Sequence, residues 1–282
     1  MSATLLRLGR LSLYLGLTLP LMPVQAAALL LKRPLARRLP RIYHRWSARI
    51  LGFHIKTGGE RSAERPTLFI ANHTSYLDIE ILGALIEGSF VAKHEVARWP
   101  FFGWLAKLQR TVFVDRRVRS TAMQRDAIRE RLDAGDNLIL FPEGTANDGN
   151  RVLPFKSALF SVADYKGACG ALAVQPVSLA YTRLDGIPLG RFYRPFFAWY
   201  GDMELAPHLW AMLGLGTVEV DVTFHRAVTL AQFGSRKALA EHCHRVIAQG
   251  VARALAGRTD EPASPPVEAP QPTPAQEAIG AE

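Results

Sequence analysis

Short apolar runs of β character alternate with helix-like stretches along most of this chain, and that alternation restricts the fold more than any other feature. The β-like runs are Thr67–Ala71, Phe90–Lys93, Thr111–Asp115, Asn137–Phe141, Leu172–Ala180 and Val218–Phe224. Between and after them lie helix-like segments at Tyr76–Ile86, Trp99–Leu108, Thr121–Ala134, Lys156–Tyr165 and Arg236–Ala256. In Thr121–Ala134, Met123, Ala127, Ile128 and Leu132 recur at helical spacing, and Gly135 supplies a stop. Such a chain folds as α/β, a single sheet covered by helices. At 282 residues it can bury one substantial core. A helical approach over Ile42–Leu51 leads into that domain, taken as residues 46–258.

Residues 1–45 read differently, as a membrane-associated helical segment with a basic flank. Leu11–Leu31 is uncharged and mostly apolar over 21 residues, close to the ~20 needed to cross a bilayer. Pro20 and Pro23 interrupt it, and proline costs a helix interior ~3 kcal/mol. Both a clean span and a dip into one leaflet are open. Arg7 and Arg10 precede the segment, whereas Lys32, Arg33, Arg37, Arg38, Arg41 and Arg45 follow it. The heavier basic side predicts that the body faces the cytoplasm from the inner membrane. A cleaved export signal ending near Val24-Gln25-Ala26 is the rival reading, and the basic cluster behind that site argues against it.

Residues 259–282 contain six prolines, five acids and no Lys or Arg, a composition that predicts a disordered acidic tail. The formal net charge is +9 even with this tail included. A basic body suits either an anionic membrane surface or nucleic acid, and the apolar N-terminus selects the membrane. Cys169 and Cys243 do not form a Cys-x-x-Cys pair, so a disulfide framework is not expected. His242-Cys243-His244 looks like a metal cluster only in one dimension. Neighbouring residues on a helix point apart, and Cys243 falls on the apolar face with Leu239, Val246 and Ile247.

Two runs at the ends of β-like segments carry the chemistry. Asn72-His73-Thr74-Ser75-Tyr76-Leu77-Asp78 follows the first strand, and Phe141-Pro142-Glu143-Gly144-Thr145 follows the fourth. In open α/β sheets the ligand crevice lies at the carboxyl ends of the strands. His73 suits a general base, because imidazole titrates near working pH. Asp78 would hold it in the tautomer that leaves the attacking nitrogen free. Five residues on a continuous helix diverge by roughly 140°, so His73 must precede the helix and Asp78 must lie in its early turns. Ser75 is expected to cap that helix, and there is no Gly-x-Ser-x-Gly elbow to make it a nucleophile. Glu143, between Pro142 and Gly144, is expected on a tight turn with its carboxylate aimed into the cleft. Arg116 would contact an anionic head group through its forked donors.

These runs resemble the glycerolipid acyltransferase family, specifically its 1-acyl-sn-glycerol-3-phosphate O-acyltransferases and lyso-ornithine lipid O-acyltransferases. Four blocks carry the resemblance in order: Asn72–Asp78, Phe113-Val114-Asp115-Arg116, Phe141–Thr145 and Val174-Gln175-Pro176-Val177. The resemblance implies a membrane-bound O-acyltransferase that moves a fatty acyl group from acyl-carrier protein or coenzyme A to a lyso-lipid hydroxyl. It implies His73 and Asp78 as the catalytic pair and assigns the block with Glu143, Gly144 and Thr145 to acceptor binding. No metal or prosthetic group is implied, and neither is a nucleic-acid partner. One departure stands out. Many family members acting on lysophosphatidic acid have arginine directly after this block, where this chain has Ala146. Either Arg151 and Lys156 compensate, or the acceptor has no phosphate, as in lyso-ornithine lipid. A thioesterase or lipid hydrolase could use the same His–Asp pair with water, and a lipid-binding protein would need neither residue.

Arg98-Trp99-Pro100-Phe101-Phe102-Gly103-Trp104-Leu105 is dense in aromatics beside Lys107 and Arg110. It reads equally as an interfacial contact or as a buried helix start.

Overall fold

The computed structural model describes residues 3–114, 121–167 and 170–258. The elements in chain order begin with α1 (Ala3–Leu30), α2 (Leu35–Ile50), β1 (Phe53–Gly58), β2 (Thr67–Ala71), α3 (Leu77–Leu85), β3 (Gly88–Lys93), α4 (Phe102–Leu108) and β4 (Val112–Val114). They continue with α5 (Thr121–Asp133), β5 (Asn137–Leu140), β6 (Lys166–Gly167), β7 (Gly170–Ala171), β8 (Ala173–Leu184), β9 (Ile187–Pro188), α6 (Leu205–Leu213), β10 (Val218–Phe224), β11 (Val228–Thr229) and α7 (Arg236–Leu255). The main sheet runs β1-β10-β8-β2-β5-β3-β4. Strands β8, β2, β5, β3 and β4 are mutually parallel, and β10 runs antiparallel to β8. The carboxyl ends of β2, β5 and β4 therefore share one edge, where the sequence puts its motifs.

Alternation along the strands separates two cores. Phe69, Ile139, Val177, Leu179 and Tyr181 face α1, α2, α3 and α6. Leu68, Ile70, Leu138, Leu140 and Val174 face α5 and α7. The mixed α/β sheet covered by helices is thus observed as expected.

Several boundaries differ, each for an identifiable reason. Helix α2 begins at Leu35, not Ile42, and runs through Pro40. Proline has no N–H to offer the carbonyl four residues back, and the Gln25 amide of α1 donates to that orphaned Ala36 carbonyl at 2.9 Å. The same amide donates to Leu108 O at 2.8 Å, so one side chain ties α1 to α2 and α4. The stretch expected as a helix over Lys156–Tyr165 is a 3₁₀ segment at Ser157–Asp164. The one expected over Trp99–Leu108 starts at Phe102, after a 3₁₀ turn at His94–Arg98. Strand β1 was not anticipated, although Phe53 and Ile55 alternate with His54 and Lys56 there, and it pairs with β10 alone. Helix α6 was also missed; its Pro207, in the first turn, obscured the pattern.

Helix α1 stays continuous through Pro20 and Pro23 and lies against the domain rather than apart from it. Tyr14, Thr18, Gln25 and Ala28 are buried. Arg10, expected as a light basic flank, instead donates to the carbonyls of Leu213, Leu215 and Gly216 at the end of α6. The outward face of α1 shows Leu5, Leu8, Leu13, Leu19, Val24 and Leu30, and α2 adds Leu35, Ile42 and Trp46. In the aromatic stretch, Trp104 is exposed on α4, whereas Trp99 packs edge-on against Trp199 at 5.5 Å. Cys243 lies fully buried in the α7 core with Leu239 and Ile247, and burial pushes its thiol up to about 12. The acidic tail and Cys169 fall outside the described residues.

Candidate active site

Asn72 closes the end of β2. Its side chain donates to Leu179 O and accepts from Leu179 N, both at 2.9 Å, which clamps the loop start to β8. His73 follows, ahead of α3, while Asp78 sits in the first turn of that helix. This is the offset that the helical-wheel argument required. His73 Nδ1 lies 2.9 Å from Asp78 Oδ2, and the same oxygen accepts the N–H groups of Thr74 at 2.7 Å and Ser75 at 3.0 Å. Oδ1 accepts the Tyr181 hydroxyl at 2.8 Å. Asp78 is wholly buried, with four donors around it. With Nδ1 engaged, Nε2 of the partly exposed imidazole is the nitrogen open to a substrate. The ring stacks on Phe141, centroids 4.2 Å apart.

Ser75 is not the helix cap it was expected to be. The α3 N-terminus has no side-chain cap bond, and Ser75 Oγ is buried without a partner among the described residues. The carboxylate of Asp78 reaches back to the loop N–H groups and does this work instead.

Glu143 differs from expectation as well. It follows β5 at a turn where Gly144 adopts φ +69°, but its carboxylate turns into the protein and is 2% exposed. One oxygen accepts His73 N–H at 2.8 Å. The other accepts Asn147 Nδ2 at 2.7 Å and Leu153 N–H at 2.9 Å. Burial pushes its pKa up, and these three bonds and the charge of His73 pull back without cancelling the shift. The orphan donors of two loops win the carboxylate because an unpaired buried N–H costs ~1–3 kcal/mol. Asn147 also donates to His73 O at 3.2 Å, so Glu143 and Asn147 together fix the backbone of the histidine. Asn147 was not singled out from the sequence; its place four residues after Glu143 gave no signal alone.

Thr145 is exposed beside this turn, and Arg151 is exposed further along the same loop. Arg116 lies in residues 115–120, outside the described part, just beyond the end of β4. The geometry thus brings His73, Asp78 and Glu143 together, with Gly144, Thr145 and Arg151 on the adjoining loop.

An apolar chamber reaches the loop that carries the pair. Tyr76 of the histidine loop and Phe90, which stacks on Phe141 at 6.2 Å, both line it. From there it runs between α1, α2, α3 and α4 past Ile79, Leu39, Leu105 and Met22. Its wall carries a polar group absent from the sequence-based reading. His44 lies 2.8 Å from Glu80 and 2.9 Å from Gln109, and Ser47 also donates to Glu80. Burial alone would depress the imidazole of His44, but Glu80 and the two hydrogen bonds raise it overall.

Comparison with known proteins agrees with this geometry. The profile of the family described as Acyltransferase matches residues 54–180. A lyso-ornithine lipid O-acyltransferase of Brucella abortus is 46% identical over 247 residues, covering 86% of this chain and 92% of the relative. One of Rhizobium meliloti is 42% identical, with 86% and 82% covered. A 1-acyl-sn-glycerol-3-phosphate acyltransferase of Neisseria gonorrhoeae is 34% identical, with 69% and 73% covered. In fold, the crystal structure of PlsC, the 1-acyl-sn-glycerophosphate acyltransferase of Thermotoga maritima, aligns with a TM-score of 0.61 over 89% of this chain and 95% of that one, at 23% identity. With a His–Asp pair at the sheet edge and relatives 46% and 42% identical over most of both chains, this chain belongs to the acyltransferase family.

Proposed function

We propose that this enzyme transfers a fatty acyl group from a thioester of acyl-carrier protein or coenzyme A to the free hydroxyl of a lyso-lipid. His73 Nε2 takes the hydroxyl proton as the oxygen attacks the thioester carbonyl, and the C–S bond then breaks as the imidazolium returns that proton to the departing thiol. Asp78 fixes the tautomer and stabilises the imidazolium that forms. Transfer is direct, without an acyl-enzyme: Ser75, the hydroxyl considered for that role, is fully buried, and the chain has no Gly-x-Ser-x-Gly elbow. The observation that carries this reading is the 2.9 Å His73–Asp78 contact on a loop whose Tyr76 lines an apolar chamber. A fatty chain lying in that chamber would bring its carbonyl to Nε2. Glu143 acts as a positioning residue in this scheme, holding the backbone of His73.

The acceptor is lyso-ornithine lipid in preference to lysophosphatidic acid. The relatives with 46% and 42% identity carry that name, and Ala146 replaces the arginine expected for a phosphate acceptor. The enzyme docks on one leaflet rather than crossing it, since α1 is bonded to the domain from Arg10 to Gln25. The exposed leucines of α1 and α2 enter the lipid and the nearby Lys32, Arg33 and Arg38 meet anionic head groups. The domain faces the cytoplasm, where acyl thioesters are made. Retention of α1 follows from Gln25: cleavage beside it would strip the partner from Ala36 and Leu108.

Purified protein should convert lyso-ornithine lipid and a long-chain acyl thioester to ornithine lipid. Release of free fatty acid at the same rate with or without the acceptor would instead identify a hydrolase.

A further inference from the structure

Two loops meet beside the histidine, residues 146–151 and 189–196. Asn150 Nδ2 donates to Arg191 O at 3.3 Å, Arg194 Nη1 donates to Asn150 Oδ1 at 3.1 Å, and Arg194 Nε donates to Leu189 O at 3.2 Å. Gly149, at φ +74°, lets them close. A Cβ there would come within 3.1 Å of the Thr74 methyl and 4.0 Å of Arg194 Cβ. The joined loops therefore abut the residue that follows His73.

Between them lies a cleft of about 480 Å³ lined by Asp148, Asn150, Arg151, Arg191 and Arg194. This is far more than the ~30 Å³ of one water. Arg151 and Arg191 are exposed, and neither guanidinium has a hydrogen bond or ion pair among the described residues. Asp148 brings the opposite charge into the same cleft. Its slight burial works against ionisation, but bonds from the Asn150 backbone and side chain and the nearby Arg151 and Arg191 hold its carboxyl below the usual range.

A phosphate monoester is a poor match for this lining, because Asp148 would repel it. An amino acid carrying two amines, acylated through one of them, keeps one carboxylate and one ammonium. Guanidinium forks suit the first and a carboxylate suits the second. We infer that Asp148, Arg191 and Arg194, with Arg151, form an acceptor subsite that reads a zwitterionic amino-acid head group: the arginines take its carboxylate and Asp148 its ammonium. Phe192, Tyr193 and Phe196 stand exposed beside these arginines, Phe192 at 90%. Aromatic residues flanking cations suit the head-group layer, so the ligand is lipid-borne rather than a free amino acid.

The inference rests on the lyso-lipid reading above and deepens it. It can be tested with the full-length enzyme in mixed micelles, using hydroxyacyl-ornithine, hydroxyacyl-norvaline (the same molecule without the side-chain amine) and 1-acyl-glycerol-3-phosphate. The wild-type KM should be about tenfold lower for the ornithine lipid than for the norvaline lipid, with similar kcat, as befits a charge-assisted contact. Asp148→Asn, which keeps the shape and can still accept one of the two Asn150 bonds, should raise the ornithine KM until that ratio nears one. Arg191→Ala should raise KM for both amino-acid lipids, since both carry the carboxylate. A ratio that survives Asp148→Asn, or a KM indifferent to Arg191→Ala, overturns the subsite. Inhibition by free ornithine as strong as by its lipid overturns the lipid-borne part. Failure of the wild type to acylate any of the three acceptors would refute the transferase reading itself, a distinguishable result.

Discussion

The two faces of the sheet are packed from the same strands but hold different things. One face, under α5 and α7, is closed: Leu68, Leu138, Leu239 and Ile247 are all fully buried, and so is Cys243. The other, under α1 to α4, is interrupted by the apolar chamber and by the buried His44–Glu80–Gln109 group. A close-packed interior leaves few voids larger than a water, so the chamber on the α1–α4 face is room that packing alone would have filled. The lesson is a division of labour: the α5/α7 face supplies stability, and the α1–α4 face gives up packing for the chamber to which the proposed mechanism assigns the acyl chain. Chemistry sits on neither face but at the strand ends between them.

The largest effect should come from that edge. His73→Ala should lower turnover by ~10²–10⁴, the usual range for a general base, with the melting temperature nearly unchanged because the ring is partly exposed. Asp78→Asn should be comparably severe, since an amide favours the wrong tautomer. It should also destabilise the fold, because Asp78 accepts from His73, Thr74, Ser75 and Tyr181. Near-normal turnover in folded His73→Ala would end the proposed mechanism.

Next in size is a test of the closed face. Ile247→Ala removes a fully buried side chain of α7 and should cost about 2–5 kcal/mol in denaturant unfolding, as large-to-small core changes do. The kcat of the protein that remains folded should stay within twofold of wild type. A specific loss of kcat or a change in acyl preference would show that this face does more than pack.

A smaller effect should mark the chamber. Ala106→Leu adds bulk to its wall and should shorten the chain accepted. Each methylene displaced from apolar surroundings costs ~0.8 kcal/mol, so kcat/KM for the longest thioesters should fall roughly fourfold per methylene excluded. Short donors should be unaffected. An equal loss across all chain lengths would mean that the chamber does not hold the donor chain.

How much of this could be read in the sequence depended on whether a feature was local. The order of β2, β3, β5 and β10 followed from short apolar runs, and the place of His73 before α3 followed from helix geometry. Features made by distant partners were illegible. The helix expected from Ile42 starts at Leu35 and runs through Pro40 because Gln25, fifteen residues before that proline, relieves the Ala36 carbonyl, which nothing local reveals. Glu143 looked like a cleft residue because its turn is local, whereas the His73 and Leu153 N–H groups that draw it inward are not. Arg191 and Arg194 lay outside all four blocks and are brought to the histidine loop through contacts with Asn150.

The smallest expected effect probes the closed face by pH. His225 is buried against Ser178, its Nε2 3.0 Å from the hydroxyl. Desolvation, together with Arg253 and His242, pushes its pKa down to about 4, against ~6.5 when unfolded. The folded state therefore favours the neutral ring. Its contribution to stability is fully present above pH 6.5 and is lost as the pH falls from 6.5 toward 4. The ceiling on that loss is about 3 kcal/mol at 1.36 kcal/mol per pKa unit. His225→Gln can still bond Ser178 but cannot take up a proton. It should be somewhat less stable than wild type at pH 7.5, and the gap should narrow or reverse by pH 4.5. His208, also depressed by burial, adds the same acid sensitivity to both proteins and cancels in the comparison. Parallel stability curves for the two proteins between pH 7.5 and 4.5 would show that the imidazole is not held neutral, and that the α5/α7 face is looser than its packing implies.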